Sequence, residues 1–173
     1  MKQAMINYTR NEKYDHFDTP AYAIKPLLDY IPKKWVVWEP TDTTGKSKIT
    51  EVFRKRGSKV ISTGQKKIDF LKNYPDFKFD CIITNPPYSL KDEFIERCYE
   101  YTLEGKKWAL LLPLTALEGI WRGTLLGDLR DRFGLLVFNR RVEFTGKSVW
   151  FNTSWFCSGI LPQQLMFTNL VKE

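Results

Sequence analysis

Apolar positions fall into short compact runs separated by longer stretches of helical spacing. Trp35-Val36-Val37-Trp38 is such a run, closed by Glu39-Pro40, which predicts a buried strand leading into a loop. Lys59 to Thr63 predicts a second short strand, and Phe79 to Thr84 the clearest one. Trp108 to Leu112 predicts another, stopped by Pro113, and Leu135 to Phe138 and Ser154 to Ile160 predict the last two. Between them, Tyr22 to Tyr30 predicts a short helix with Pro20 in its first turn and Thr19 as N-cap. Lys48 to Arg56 sets Ile49, Val52 and Phe53 on one helical face and stops at Gly57. Ser89 to Glu104 predicts a longer helix with a stripe of Phe94, Ile95, Cys98 and Tyr101. Ser89 is its expected cap, Asp92 stands where a capping-box partner would, and Gly105 ends it. Ile68 to Leu71 reads as helical or irregular, and the Gly-broken stretch up to Arg132 has helical character.

Strands alternating with helices predict an α/β, Rossmann-like three-layer sandwich: a mostly parallel sheet with helices on both faces. In such sheets ligands bind at the carboxyl ends of the strands. Glu39-Pro40 and Asn85-Pro86-Pro87-Tyr88 both fall at such ends, far apart in sequence and on one edge of the sheet. With 173 residues, 43% hydrophobic and 15% aromatic, the chain fits one globular domain, expected over residues 17–173 behind an N-terminal extension, 1–16. No apolar run approaches the roughly 20 residues that span a bilayer. Met1 to Lys13 is polar, without a signal-type apolar stretch, so a cytoplasmic location with no membrane partner is expected. Cys81, Cys98 and Cys157 read as small buried hydrophobes. With no Cys-x-x-Cys and His16 the one histidine, no metal site is expected.

The stretch from Asn85 to Tyr88 carries the chemistry. Two successive prolines forbid helix and ladder there, fix the backbone and leave carbonyls without competing local donors. The Asn85 amide oxygen and the Pro86 carbonyl can accept from the two N–H groups of an amine. An exocyclic amine on a heteroaromatic ring is a poor nucleophile because its lone pair is delocalised. Two acceptors on its hydrogens draw it toward tetrahedral geometry, and Tyr88 can stack on the ring. Catalysis would then come from positioning and electrostatic preorganisation.

FDCIITNPPYSL, Phe79 to Leu90, resembles the catalytic motif of amino methyltransferases that use S-adenosylmethionine. Within that group the chain is most similar to small, phage-type N(6)-adenine methyltransferases, over about Phe17 to Phe156. The resemblance implies a class I methyltransferase fold, S-adenosyl-L-methionine as cofactor, nucleic acid (DNA ahead of RNA) as partner, and a phage or prophage protein working in a bacterial host. Phe17-Asp18-Thr19-Pro20 looks like the motif that touches the methionine end of the cofactor. Trp38-Glu39-Pro40 with Gly45 looks like the first cofactor loop. Asp69-Phe70-Leu71 is similar to the motif whose Asp accepts from the cofactor adenine while the Phe packs on it. Trp108 to Gly119 fits the strand and turn after the catalytic helix, and within NRRVEFTGK, Asn139 to Lys147, Phe144 is the candidate to stack on a flipped base.

The chain departs from that family in two places. Its first loop normally reads Glu-Pro-x-x-Gly-x-Gly; here Thr41 to Ser47 keeps one glycine, Gly45, aligned as the second glycine without a gap or as the first with a two-residue insertion. The second strand usually ends in a carboxylate that holds the cofactor ribose; here it ends Ser62-Thr63-Gly64-Gln65. A degenerate protein that binds nucleic acid or a protein partner without turnover is therefore the alternative. Gly45-Lys46-Ser47 is not a phosphate loop, because the glycine required five residues earlier is Pro40.

Charge sharpens the expected partner. Lys33 to Lys78 holds 12 Lys+Arg against 5 Asp+Glu, the rest of the chain 15 of each, so the whole net charge of +7 lies in one third of the chain. A basic rim at the active-site edge would suit a phosphate backbone, with the target adenine turned out of its stack. Trp121, Arg122 and Arg130 can reach nucleic acid or form a solvated helical face.

Overall fold

The computed structural model describes residues 18–144 and 147–172. His16, Phe17, the extension 1–16, Thr145 and Gly146 lie outside the described residues. In chain order the regular elements are α1 (Ala21–Ile24), β1 (Val37–Glu39), α2 (Lys48–Lys55), β2 (Val60–Ser62), α3 (Gly64–Lys67), β3 (Cys81–Thr84), α4 (Lys91–Leu103), β4 (Lys107–Pro113), α5 (Ile120–Asp128), β5 (Phe133–Phe138), β6 (Glu143–Phe144), β7 (Lys147–Ser148), β8 (Thr153–Ser158) and β9 (Leu165–Thr168).

Seven strands form one sheet in the order β2-β1-β3-β4-β8-β5-β9. β2, β1, β3 and β4 pair in parallel, with Val37 beside both Val60 and Cys81, and Cys81 beside Lys107. β8 runs antiparallel between β4 and β5, and β9 is parallel to β5 on the far edge. β6 and β7 make a separate two-stranded hairpin. The expected mostly parallel sheet is therefore present, with one reversed strand inside it.

Side-chain alternation assigns the layers. Val37 and Glu39 point toward α2, where the Ser47 hydroxyl donates to Glu39 Oε2 at 3.2 Å. Trp38 points to the other face and packs against Phe70, Phe77, Phe79 and Tyr101, with ring centroids 5.0 to 5.9 Å away. Trp155 of β8 faces α1, donating to the Ala23 carbonyl at 2.8 Å, and Trp108 of β4 faces α4, donating to Thr102 Oγ1 at 2.8 Å. With the Trp38 indole donating to Thr63 Oγ1 at 3.1 Å, three fully buried indoles have their one polar atom satisfied, as burial requires. The three cysteines are buried and free. Burial pushes the Cys81 thiol up to about 12 and raises those of Cys98 and Cys157 as well, in keeping with inert core residues.

Several boundaries differ from the sequence expectation. Trp35 and Val36 precede β1, and Glu39 is its last residue. Pro20, not Thr19, occupies the N-cap of α1, and a 3-10 segment, Lys25–Tyr30, replaces the rest of the expected helix because Pro26 cannot donate to a continuing α-ladder. Leu90, not Ser89, is the N-cap of α4, after a 3-10 turn at Tyr88–Leu90. Asp92 serves an ion pair instead of a capping box: Arg122 Nη1 donates to its two oxygens at 2.9 and 3.1 Å. Ile68 to Leu71 is irregular. α2 matches its signals: Ser47 caps it by accepting from the Thr50 amide at 3.1 Å, and Gly57 follows its end at φ +93°.

Candidate active site

β1 and β3 are neighbours, so Glu39 and Asn85 emerge side by side on the carboxyl edge of the sheet. Thr84, the last residue of β3, reaches across and donates to Glu39 Oε1 at 2.7 Å. Thr41 donates to the same oxygen through its amide at 3.0 Å and its hydroxyl at 2.9 Å, and its hydroxyl lies 2.8 Å from that of Thr84. Glu39 is 1% exposed. Burial raises its carboxyl above the ordinary glutamate value, against the opposing pull of the Thr84 and Thr41 donors.

The loop that follows is folded around Asp42. Asp42 Oδ1 accepts from the amides of Thr44, Gly45 and Lys46 at 3.0, 2.8 and 3.3 Å and from the Thr44 hydroxyl at 3.1 Å. Its Oδ2 accepts from the Ser47 amide at 3.1 Å and the Thr50 hydroxyl at 2.7 Å. Burial alone would raise this carboxyl, but the donors from Thr50, Ser47 and Thr44 outweigh it and hold Asp42 well below the usual carboxylate range. Asp42 is a fixed negative charge. Its carboxylate sets the loop that glycines shape in the family pattern. Gly45 keeps one glycine role, a turn at φ +72°, with its carbonyl accepting from Arg54 Nη1 at 2.8 Å.

Two cavities open on this edge. The larger, about 270 Å³, is lined by Asp18, Thr19, Glu39, Asn85, Pro87 and the loop and helix start, Thr41 to Thr44 and Lys46 to Ile49. The smaller, about 120 Å³, is lined by Pro40, Asp69, Phe70, Leu71, Leu90 and Phe94 among others. Thr41, Thr43 and Pro87 line both. The larger cavity is polar, with hydroxyls and carboxylates. The smaller has aromatic and aliphatic walls, with Phe70 stacked on Phe94 at 4.9 Å, and one carboxylate, Asp69, which accepts from the Leu71 amide at 3.1 Å.

Of the expected cofactor residues, Thr19 and Glu39 fall in one cavity and Pro40, Asp69 and Phe70 in the other. Pro20 caps α1, and Gly45 lines neither cavity. The end of β2 has no acid: Ser62 shares a hydrogen bond with Thr50 at 2.9 Å, and Thr63 accepts from the Trp38 indole at 3.1 Å. Beside them Gly64, at φ +58°, lies so close to the loop that a Cβ there would stand 2.6 Å from Thr43 Cα.

Of the acceptor motif, Asn85 and Pro87 face the larger cavity, while Tyr88 is 5% exposed and packs edge-on to Phe151 at 5.6 Å. Phe151 in turn meets Trp150 at 5.3 Å, and Trp150 is 48% exposed. Phe144 is 1% exposed in β6, so as it stands no ring face is open to a base. Arg122 is engaged with Asp92, bracing α5 on α4 and not reaching outward. The basic rim is only partly at this edge: Lys46 and Lys48 line the larger cavity, but Lys33, Lys34, Lys59 and Lys78 precede β1, β2 and β3 and lie at the opposite edge of the sheet.

Sequence reasoning missed Asp42, Thr41, Thr84 and Trp150. An aspartate two residues before a Thr-Gly-Lys-Ser turn was the available signal for Asp42, since short acids bond to amides a few residues on. No protein-family model matches the chain, and no curated protein matches it. Solved structures do. The methyltransferase subunit of a type I restriction-modification system from Streptococcus thermophilus superposes with a TM-score of 0.61 at 14% identity, over 88% of this chain and 47% of its own. The M protein of the type I restriction enzyme EcoKI gives 0.52 at 16% identity, over 97% of this chain and 51% of its own. A Listeria monocytogenes protein assigned to the class I S-adenosylmethionine-dependent methyltransferases gives 0.58 at 14% identity, over 99% of this chain and 71% of its own. The chain spans about half the length of the restriction-modification structures. Strand order, flanking helices and these superpositions agree that the chain has the class I methyltransferase fold.

Proposed function

We propose that this protein transfers a methyl group from S-adenosylmethionine to the exocyclic amino group of adenine in nucleic acid, with DNA the favoured substrate. The observation that carries the reading is the placement of Asn85 and Pro87 on the wall of the same cavity as Thr19 and Glu39, at the carboxyl end of β3. The two cavities fit the cofactor's parts. The polar one suits an amino-acid end, with Thr19 and Asp18 as partners for its charged groups. The apolar one suits a purine against Phe70, with Asp69 as acceptor. When bound, the cofactor supplies an activated methyl group on a positively charged sulfur.

The chain's own residues supply the rest. The Asn85 side-chain oxygen and the Pro86 carbonyl accept the two hydrogens of the target amine, which sharpens its lone pair toward the methyl group. A proton leaves that amine to solvent as the new N–C bond forms. Tyr88 is buried against Phe151, so the exposed Trp150 beside them can take the stacking role expected of Tyr88 and Phe144. The ionised Asp42, on the cavity wall, favours a cationic ligand.

Labelled methyl transfer to unmethylated DNA, RNA and protein, offered in parallel, tests the assignment. Label in N(6)-methyladenine, lost in Asn85→Ala and Tyr88→Ala, is the expected result. Transfer that survives Asn85→Ala refutes the proposed role of the motif. One observation favours the second reading, a binding protein without turnover: β2 ends at Ser62 and runs into Thr63 and Gly64, with no carboxylate for a ribose.

A further inference from the structure

Part of the excess positive charge of this chain lies away from the cleft. β2, β1, β3 and β4 start on one edge of the sheet, opposite the cavities, and β5 starts there too because both it and β4 are antiparallel to β8. A cation stands at the entrance of each: Lys59 before β2, Lys33 and Lys34 before β1, Lys78 before β3, Lys107 opening β4 and Arg132 before β5. Backbone bonds tie the row together: the Val37 amide donates to the Lys59 carbonyl at 2.9 Å, Lys107 to Asp80 at 3.3 Å and Gly159 to Arg132 at 2.8 Å.

Helix carboxyl ends also face this edge, and cations there can simply serve helix dipoles and carbonyls. Arg56 and Lys106 do so, donating to the carbonyls of Leu28 and Phe79. Lys33, Lys34, Lys59, Lys78 and Arg132 do not. All five are exposed, and none makes a side-chain hydrogen bond or ion pair among the described residues. The acids nearest in sequence are Asp29, Asp76, Asp80, Glu104 and Asp131; Asp29 lies near Arg56, and Asp80 is held by the Val36 amide at 2.7 Å. From β2 to β5 the sheet order has five strand spacings, roughly 24 Å at about 4.8 Å each. One strand of a duplex presents about seven phosphates over that distance.

We propose that the amino-terminal edge of the sheet is a second contact surface for a nucleic-acid phosphodiester backbone, separate from the catalytic edge. It takes a polyanion by charge and reads no base sequence. The inference does not depend on methyl transfer. A chain gripping nucleic acid here holds a second segment, or the far side of a bent one, while the cleft works on its target.

The test is anisotropy of a labelled DNA duplex and a labelled single-stranded RNA bound to the full chain across a salt series. The edge variant is Lys33→Gln/Lys34→Gln/Lys59→Gln, and the matched control is Lys66→Gln/Lys67→Gln/Lys72→Gln, which removes equal charge outside the row. The edge variant is expected to bind duplex at least about tenfold more weakly near 0.1 M salt, with its log–log salt slope reduced by two to three, near 0.9 for each phosphate that is no longer neutralised. The control should change the slope by less than one, and Lys→Arg at the three edge positions should restore it. Equal losses in edge variant and control overturn the proposal, because net charge alone then explains them. So does an edge variant with unchanged salt slope. Loss on RNA alone keeps the surface and reassigns its polymer.

Discussion

Replacing Asp42 by Ala tests the claim that a carboxylate shapes the first loop. The substitution removes an acceptor of six hydrogen bonds, four of them from backbone amides. Hydrogen bonds to a charged group contribute about 1.5–3 kcal/mol each, yet a sixfold sum would rival the whole stability of an ordinary domain. The loop lines a cavity, so water can reach several of the freed amides, and Thr50 keeps the Ser62 and Ser47 hydroxyls as partners. The expected cost is about 3 kcal/mol, or a melting temperature lower by roughly 6–12 °C for a chain of this size. Asp42→Asn retains an acceptor for the Thr44 and Gly45 amides but presents an amide to Ser47 and Thr50, and should lose about half as much. The sign with pH is fixed. A depressed folded pKa stabilises above the unfolded aspartate value of about 3.9, and that contribution is lost as pH falls toward the folded value. Calorimetric or circular-dichroism melts of both variants between pH 3 and 7 read this out. An Asp42→Ala protein melting within about 2 °C of wild type at pH 7 would show that the loop is held by something else.

Glu39 should behave in the opposite sense. Its folded pKa is raised, so its contribution is full below the unfolded glutamate value and is lost as pH rises through the folded one. The melting temperature of the wild type should fall from pH 5 to 8 by more than that of Glu39→Gln, and parallel curves would reject a buried, raised carboxyl. Gly64→Ala should cost about 2–3 kcal/mol, because it meets Thr43 Cα at 2.6 Å and adopts a left-handed φ; denaturant melts with an unchanged slope and a lower midpoint are the expected readout, and an unshifted midpoint would contradict the packing.

The sheet was legible because its strands are compact apolar runs with sharp stops. Cys81 to Thr84 and Trp108 to Pro113 are buried on both faces, and such strands read as continuous hydrophobic stretches. β9 was not legible: Leu165–Thr168 is a four-residue edge strand with Phe167 exposed, too short for a periodic signal. The helix starts slipped by a residue or more where turns intervene, as at Tyr88–Leu90. Two parts of the candidate site were legible through Asn85 with Pro87 and through Asp69-Phe70, because each is a local motif at an element end, whereas the burial of Tyr88 was not. What joins them was not. The Glu39–Thr84–Thr41 cluster spans 45 positions, and the packing of Thr43 on Gly64 depends on how two loops meet in space. Charge was legible in amount but not in place, since the alternation of strand and helix sends neighbouring lysines to opposite edges of the sheet.

Under the proposed function, the loop organised by Asp42 leaves a cleft that takes the methyl donor across both cavities. Calorimetric titration of S-adenosylmethionine into the protein, with Asp69→Ala and Phe70→Ala beside it, tests this most directly. One-to-one binding with a dissociation constant in the micromolar range, weakened about tenfold or more in each variant, is expected. No heat of binding up to millimolar cofactor, or binding indifferent to both substitutions, would contradict it.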